Sequence, residues 1–526
     1  MAETGDSQAA SSTAAPEAEK QPAPVRYRGI ITASVILATV MQTLDTTIAN
    51  VALPRMQGEL AATQDEMSWV LTSYVVASAI MIPLTGWLAN QFGRRRVFLS
   101  SIALFTVVSL LCGFATSLPE LVLFRFLQGV GGAALVPLTQ ATLLDIYPPK
   151  EFGRAMAMFV AGSNLGPILG PVLGGWLTEE YSWRAVFYIN LPIGIISFMG
   201  LLLTTKERPV LRSSGFDFFG FGALSVGLTS LQLMLDRGQL LDWFSSREII
   251  TETVIAGLAF YLFVVHVFTY PHPFLNPALF RDRNFTASAA FILLLGVVLF
   301  STMALLPPMT QNQLRYPVEL TGWLMVPRGI GMILSLFVVG RVARRFGPRT
   351  SMALGLTVLA YASWLMTQFS LLMGYQPIAI SGLLQGIGIG MLYVPVTTVA
   401  FSTLSASLRN EGTAFVSLLR NIGSSVGISV VTFMLTRNTQ RMHAALAADI
   451  TPYNVTSNPA LAAAHIDMTT AKGLAALDAS ITAQATMIAY LDDFHLMMVL
   501  TLLTFPVLLL IRGRPPAPGA ATVLAE

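Results

Sequence analysis

Charge is scarce in this sequence. Of its 526 residues only 11% are Asp, Glu, Lys or Arg, while 54% are hydrophobic and the mean hydropathy is +0.65. A soluble globular chain carries about 25% charged residues, so this one has too few to keep a folded surface wet, which excludes an ordinary soluble domain. Lysine is scarcest: Lys20, Lys150, Lys206 and Lys472 are the complete set. The basic character therefore comes from arginine, and a lysine-rich nucleic-acid face is excluded. None of the four lysines follows a glycine, which removes the Gly-Lys-Ser/Thr phosphate loop and with it an ATP-driven pump. The one cysteine, Cys112, sits in an apolar run and excludes an internal disulfide. No Ser/His or Cys/His set shares a helix position, so an intramembrane enzyme lacks its nucleophile and base.

What the chain has in excess is long apolar runs. A helix needs about 20 mostly apolar residues to cross a hydrocarbon core, and it satisfies every backbone group in lipid. Fourteen such runs occur, near 30–52, 68–89, 97–117, 120–144, 154–177, 184–204, 216–235, 248–268, 285–309, 320–340, 350–369, 376–401, 412–435 and 494–511. With both termini cytoplasmic, 20 of the 31 cations fall on the cytoplasmic side, 8 on the other and 3 within the membrane, as the positive-inside rule requires. Residues 1–27 and 513–526 read as cytoplasmic tails, the first rich in Ala, Ser, Pro and Glu, disordered and without the apolar stretch of a signal peptide.

The segment Gly86-Trp-Leu-Ala-Asn-Gln-Phe-Gly-Arg-Arg95 after span two returns as Gly340-Arg-Val-Ala-Arg-Arg-Phe-Gly-Pro-Arg349 after span ten. Gln128-Gly129 with Pro137 in span four returns as Gln385-Gly386 with Pro395 in span twelve. A duplication at about 255 residues predicts two six-helix halves with a substrate site at the midplane between them. The expected fold is all-α and polytopic: a bundle at 28–208, an inserted helix pair at 209–272, and a second bundle at 273–512 with an external loop at 437–490.

Three features carry candidate mechanism. The loop around Gly86, Asn90, Gly93 and Arg94, with Arg95 and Arg96, reads either as a positive-inside anchor or as a gate that clamps helix ends in one conformation; its recurrence favours the gate. Span five carries Gly162, Gly166, Gly170 and Gly174 at four-residue spacing, with Pro167 and Pro171 between them. Small residues at that spacing allow close helix packing, and the prolines remove backbone bonds and favour a bend. Four ionisable groups lie deep within spans: Asp45, Arg125, Arg328 and Arg420. Each is costly in lipid unless it faces a cavity or a partner. At 1.5 Å per residue, Asp45 and Arg125 both lie roughly 8 Å below the outer edge of a 30 Å core, a depth at which they can pair. Burial favours the neutral acid and the cation favours the carboxylate, so such a pair is a workable proton switch; its bland alternative is a static pair joining two helices. Arg328, Arg420, Gln128 and Asn164 are the candidate cavity residues. Three buried arginines against one aspartate favour neutral or anionic hydrophobic compounds.

Together these motifs resemble the major facilitator superfamily, and within it the EmrB-type fourteen-helix drug:proton antiporters. The residues that carry the resemblance are Leu44-Asp45-Thr-Thr-Ile-Ala-Asn-Val-Ala-Leu-Pro54, the Gly86 loop, Arg125 with Gln128-Gly129, the Gly162 to Gly174 stripe, and Trp183-Arg184 through Phe187 to Asn190-Leu-Pro192. The resemblance implies a multi-pass protein of the bacterial inner membrane that exports small drug-like molecules against protons. It needs no cofactor or metal, only the proton gradient. It implies proton coupling at Asp45 and Arg125, gating by the Gly86 loop, and antiport through the span-five stripe. In Gram-negative cells it further implies a periplasmic adaptor and an outer-membrane channel as partners. The usual acidic residue of the loop is Asn90 here, so a charge clamp built on it is lost. The rival reading is a dedicated exporter of one endogenous metabolite by the same mechanism.

Overall fold

The computed structural model describes residues 27–148, 151–206, 215–448, 450 and 470–511. Apart from Tyr27 and two residues at the bundle boundary, 206 and 215, the expected tails and the segment leading into the inserted pair lie outside these residues. The described elements are all helical, as an apolar chain without water to solvate its backbone must be. Among the described residues, thirteen helices are long and apolar enough to span a membrane.

The first bundle consists of α1 (Arg28–Glu59), α2 (Gln64–Phe92), α3 (Arg94–Phe114), α4 (Leu118–Gly132) continued by α5 (Leu135–Ile146), α6 (Phe152–Glu180), and the short α7 (Ala185–Tyr188) leading into α8 (Asn190–Thr204). The inserted pair is α9 (Phe218–Arg237) and α10 (Arg247–Thr269). After the single turn α11 (Ala278–Arg281), the second bundle comprises α12 (Arg283–Pro308), α13 (Val318–Phe346), α14 (Pro348–Met366), α15 (Gln376–Ser402), α16 (Arg409–Ala448) and α17 (Ala471–Leu503). The run expected at 350–369 is α14, a 19-residue helix that falls short of the thirteen in apolarity because its first turn holds Arg349 and Ser351. It is nonetheless buried between α15 and α17.

The duplication is visible in the packing. α1 lies on α6 as α12 lies on α16, and α2 lies on α4 as α13 lies on α15. A Cβ on Gly131 would come 2.8 Å from the backbone N of Phe105, and one on Gly388 would come 2.8 Å from that of Leu359. Glycine at these crossings lets the backbones touch. The loop motif repeats in conformation as well: Gly93 and Gly347 both take positive φ, 90° and 88°, a region open to glycine but strained for other residues. Each ends one helix and starts the next with no intervening residue.

α9 packs on both α2 and α16, and α10 packs on α9. The Asp217 carboxylate caps α9 at Gly220 and meets His266 of α10 at 2.9 Å, which ties the pair together. Residues 437–490 differ from the expected loop. α16 runs 40 residues to Ala448, and α17 begins at Ala471, so the described part of this stretch is mostly helix. Its alanines explain this, since alanine is the best helix former and needs no lipid to stay helical. His443 meets Asp478 at 3.0 Å and Asn438 meets Asp492 at 3.3 Å, holding the two helices side by side.

Candidate functional site

Asp45 sits in the middle of α1 with no exposed surface, and Arg125 on α4 is 1% exposed. The expected pair forms: Arg125 Nη1 donates to Asp45 Oδ2 at 2.6 Å. Two amides complete the shell around the carboxylate. Gln128 Nε2 donates to Oδ1 at 2.9 Å and Asn190 Nδ2 donates to the same oxygen at 2.8 Å. Arg125 is spoken for on its other edges, giving 2.7 Å to Gln128 Oε1 and 3.2 Å to the Val70 carbonyl. Its guanidinium carbon lies 4.5 Å from the centre of the Tyr74 ring, a cation–π contact that is strongest where water is excluded. Asn190 also donates to Ser109 Oγ at 2.9 Å. Four helices, α1, α3, α4 and α8, thus converge on one carboxylate.

Local structure sets this register. Arg125 and Gln128 are three residues apart on α4 and so share a face. α1 is pinned at its far end by Glu59, which accepts from Trp183 Nε1 at 2.9 Å and Arg184 Nη1 at 2.6 Å. The span-five stripe faces α1: a Cβ on Gly166 would come 2.5 Å from Leu44 N, next to Asp45, and Gly162, Gly170 and Gly174 meet Ile36, Thr47 and Ile48. Thr47 Oγ1 donates to the Gly166 carbonyl at 3.2 Å. α6 continues as one helix through Pro167 and Pro171.

A cavity of about 470 Å3 lies between the halves, with Arg125, Asn164, Pro167 and Arg420 in its wall. Gln128 is fully buried behind it in the Asp45 cluster. Arg328 is also buried, 8% exposed, and is not part of the cavity wall. Its Nη2 donates to the Leu299 carbonyl at 3.1 Å, while Nη1 has no partner. The wall contains a carboxylate absent from the sequence reading, Asp236 at the end of α9, bonded by Gln232 Nε2 at 2.9 Å. Gln232 in turn accepts from Ser425 of α16 at 2.8 Å. The inserted pair therefore forms part of the cavity. Arg420 lies five residues before Ser425 on α16 and Asp236 lies beyond Gln232, so the cation and the carboxylate stand at different depths.

At the expected cytoplasmic face the two halves meet. Asn90 Oδ1 accepts from Asn410 Nδ2 at 2.7 Å, and Asn90 Nδ2 donates to Glu411 at 3.3 Å. A Cβ on Gly86 would come 3.0 Å from Glu411 Cα. Asp145 on α5 receives both Arg94, at 2.7 Å, and Arg409 of the second half, at 3.3 Å. The loop is thus joined to α16 without the missing acid: an amide clamp stands at Asn90, and Asp145 supplies the charge. Tyr74 and Ser109 are further site residues that the sequence did not single out, and Asn190 stood out only as part of the Trp183 to Pro192 motif, with no site role.

Two helical bundles around a central cavity, with a buried carboxylate and guanidinium at its edge, define a membrane transporter of the duplicated six-helix class. The chain belongs to the major facilitator superfamily, whose family model matches residues 35–428. It is 36% identical over 428 residues to the multidrug export protein EmrB of Haemophilus influenzae, covering 81% of this chain and 84% of that one. It is 34% identical to the fatty acid resistance protein FarB of Neisseria gonorrhoeae, covering 92% and 96%. The fold is similar to that of the human organic anion transporter MFSD10, with a TM-score of 0.57 at 15% identity, covering 90% of this chain and all of that one. It is a multi-pass inner-membrane protein.

Proposed function

We propose that the protein exports small hydrophobic or amphipathic compounds by exchanging them for protons, with Asp45 as the proton carrier and Arg125 as the link to substrate. One observation carries this reading. Arg125 is bonded to Asp45 and also forms part of the cavity wall, so an event on either side is felt on the other. Protonating Asp45 cancels the charge that holds Arg125, which frees the guanidinium to swing toward the cavity. A substrate that engages Arg125 weakens its hold on Asp45 in the same way. Both termini are placed in the cytoplasm by the distribution of arginines, and the face closed by Asn90, Asp145 and Glu411 is then the inner gate.

The kinship with EmrB and FarB supports a broad range of amphipathic substrates. The wall is mostly serine, threonine, asparagine and apolar side chains, which suits varied ligands better than one metabolite. With Arg420 and Asp236 at two depths, a molecule bearing a weakly acidic head and an apolar tail fits the cavity. We also place contact with a periplasmic adaptor on the helical extension around Ala448 and Ala471. The deciding measurement is proton release from purified protein in detergent on adding ethidium or oleate. Release is expected from the native chain and not from Asp45→Asn. Equal release from both overturns the reading.

A further inference from the structure

The duplication allows every buried polar group of one half to be compared with its counterpart in the other. Tyr74 and Arg328 are counterparts: the carbonyl of Tyr74 is what a Cβ on Gly129 would strike, and that of Arg328 is what a Cβ on Gly386 would strike. Phe105 and Leu359 correspond through Gly131 and Gly388. The same offset of 254 residues takes Asp45 to Leu299 and Ser109 to Ser363. Hence the proton-site carboxylate has no equivalent on α12. In the last helix of each half the comparison runs the other way. Phe187 and Asn190 in the first half, and Tyr490 and Asp493 in the second, show the same aromatic and polar pair three residues apart. Asn190 and Asp493 are both without exposed surface.

In this pattern the first half carries a neutral amide and the second an acid. Asp493 has neither oxygen hydrogen bonded. Among the described residues no cation is bonded to it. On its own helix stand Tyr490, the exposed His495 and Asp492, the last held outward by Asn438 of α16. α16 carries Arg437 and Arg441, both exposed, and His443, which is engaged by Asp478. The ionisable groups of α12 and α14 are Arg283 and Arg349, which bond the carbonyls of Leu510 and Ile511 far down the chain from Asp493, and the exposed Tyr361. A carboxylate left charged in such a place, without water or a partner, is strongly disfavoured. Taking up a proton removes the charge.

We propose that Asp493 is a second proton-binding carboxyl, buried in the C-terminal bundle with neither oxygen hydrogen bonded. In the conformation seen here it is the neutral acid. When the halves rearrange and water reaches it, the O–H proton passes to that water and the carboxylate forms, to be reprotonated on return. The protein then carries two exchangeable carboxyl protons, one per half. This rests on the proton-exchange reading above, but its test does not need transport.

The test is infrared spectroscopy of the full chain in lipid nanodiscs at neutral pH. The native protein is expected to show a protonated-carboxyl stretch that is absent in Asp493→Asn, present in Asp493→Glu, and retained in Asp45→Asn. In deuterated water that band should shift as the proton exchanges. Asp493→Asn keeps the shape of the side chain and adds no charge, so folding is expected, and a thermal unfolding curve checks it. If the variant unfolds, Asp493→Glu decides alone, by displacing the band to the glutamic-acid position. A spectrum unchanged by both substitutions overturns the proposal. A band that disappears in Asp493→Asn but never shifts in deuterated water also overturns it, because the proton is then locked. If proton release survives in Asp45→Asn while the infrared result holds, the transport reading fails and this one stands.

Discussion

The two halves share one helical plan and differ in what they do with buried charge. In the N-terminal half, Asp45 accepts three hydrogen bonds and Arg125 is spent on Asp45, Gln128 and Val70. In the C-terminal half, Arg328 is buried with Nη1 unpaired, and Asp493 is buried with both oxygens unpaired. The counterpart of Asp45 is Leu299, so Arg328 has only a carbonyl to bond. A duplicated scaffold can thus keep its backbone crossings, where Gly129 and Gly386 leave no room for change, while its polar groups diverge. The Asp45 carboxylate is fully engaged, so protonating it or drawing Arg125 away disturbs a bonded cluster. The unsatisfied half stores polar groups that need another conformation, water or a proton to complete them.

The largest expected effect breaks the satisfied cluster. Arg125→Leu strands the Asp45 carboxylate and should cost about 3–5 kcal/mol, the usual result of removing one partner of a buried pair. Asp45→Asn keeps the shape and loses the charge, and should abolish proton-linked export measured in inverted membrane vesicles. If Arg125→Leu leaves the unfolding temperature in detergent unchanged, the cluster is not what holds these helices. The mirror change, Arg328→Met, should be neutral or slightly stabilising, because it removes a guanidinium that is already short of partners. A loss as large as that of Arg125→Leu would erase the contrast between the halves.

Next in size is the stripe. Gly166→Ala forces a methyl to within 2.5 Å of Leu44 N and should cost about 1–3 kcal/mol by overpacking, with export impaired because Asp45 is displaced. Gly175→Ala has open space around it and should leave both export and the unfolding temperature unchanged, which separates close packing from general glycine content. Smallest is the clamp between the halves. Asn90→Asp sets a second carboxylate against Glu411 and should weaken this contact between the halves by about 1 kcal/mol, on the scale of a surface-edge charge pair. Faster labelling of a cysteine placed at Ser78 in the cavity wall would report the opening, and unchanged labelling would show that Asp145 alone holds the gate.

Much of this could be read before any coordinates. Thirteen of the fourteen expected spans appear as long apolar helices among the described residues, and the remaining run, the eleventh, is α14. The Asp45 and Arg125 pair followed from matched depth alone, because helix rise converts sequence position into height. The misses have a common cause. A span drawn by hydropathy ends where the first charge appears, so Asp236, one residue past the run at 216–235, and Asp493, one residue before the run at 494–511, fell just outside the spans and were not singled out, although one lines the cavity and the other is fully buried. Arg328 was a cavity candidate because depth is legible and azimuth is not: height along the helix gave no sign that it points at the Leu299 carbonyl.

The sequence by itself determined that the chain lives in a membrane, that it is a duplicated bundle with an inserted pair, and which ionisable groups are deep. Those are properties of composition, run length and repeat, each written along one dimension. Only the tertiary structure decided which groups meet: that Asn190 and Gln128 complete the Asp45 shell, that α9 contributes Asp236 to the cavity wall, that Asn90 clamps α16, and that Asp493 has no partner. Contacts between residues 80 to 145 positions apart in one cluster, and about 320 apart at the clamp, depend on how helices rotate against one another. That rotation is set by glycine crossings and side-chain volume in three dimensions, which no one-dimensional pattern records.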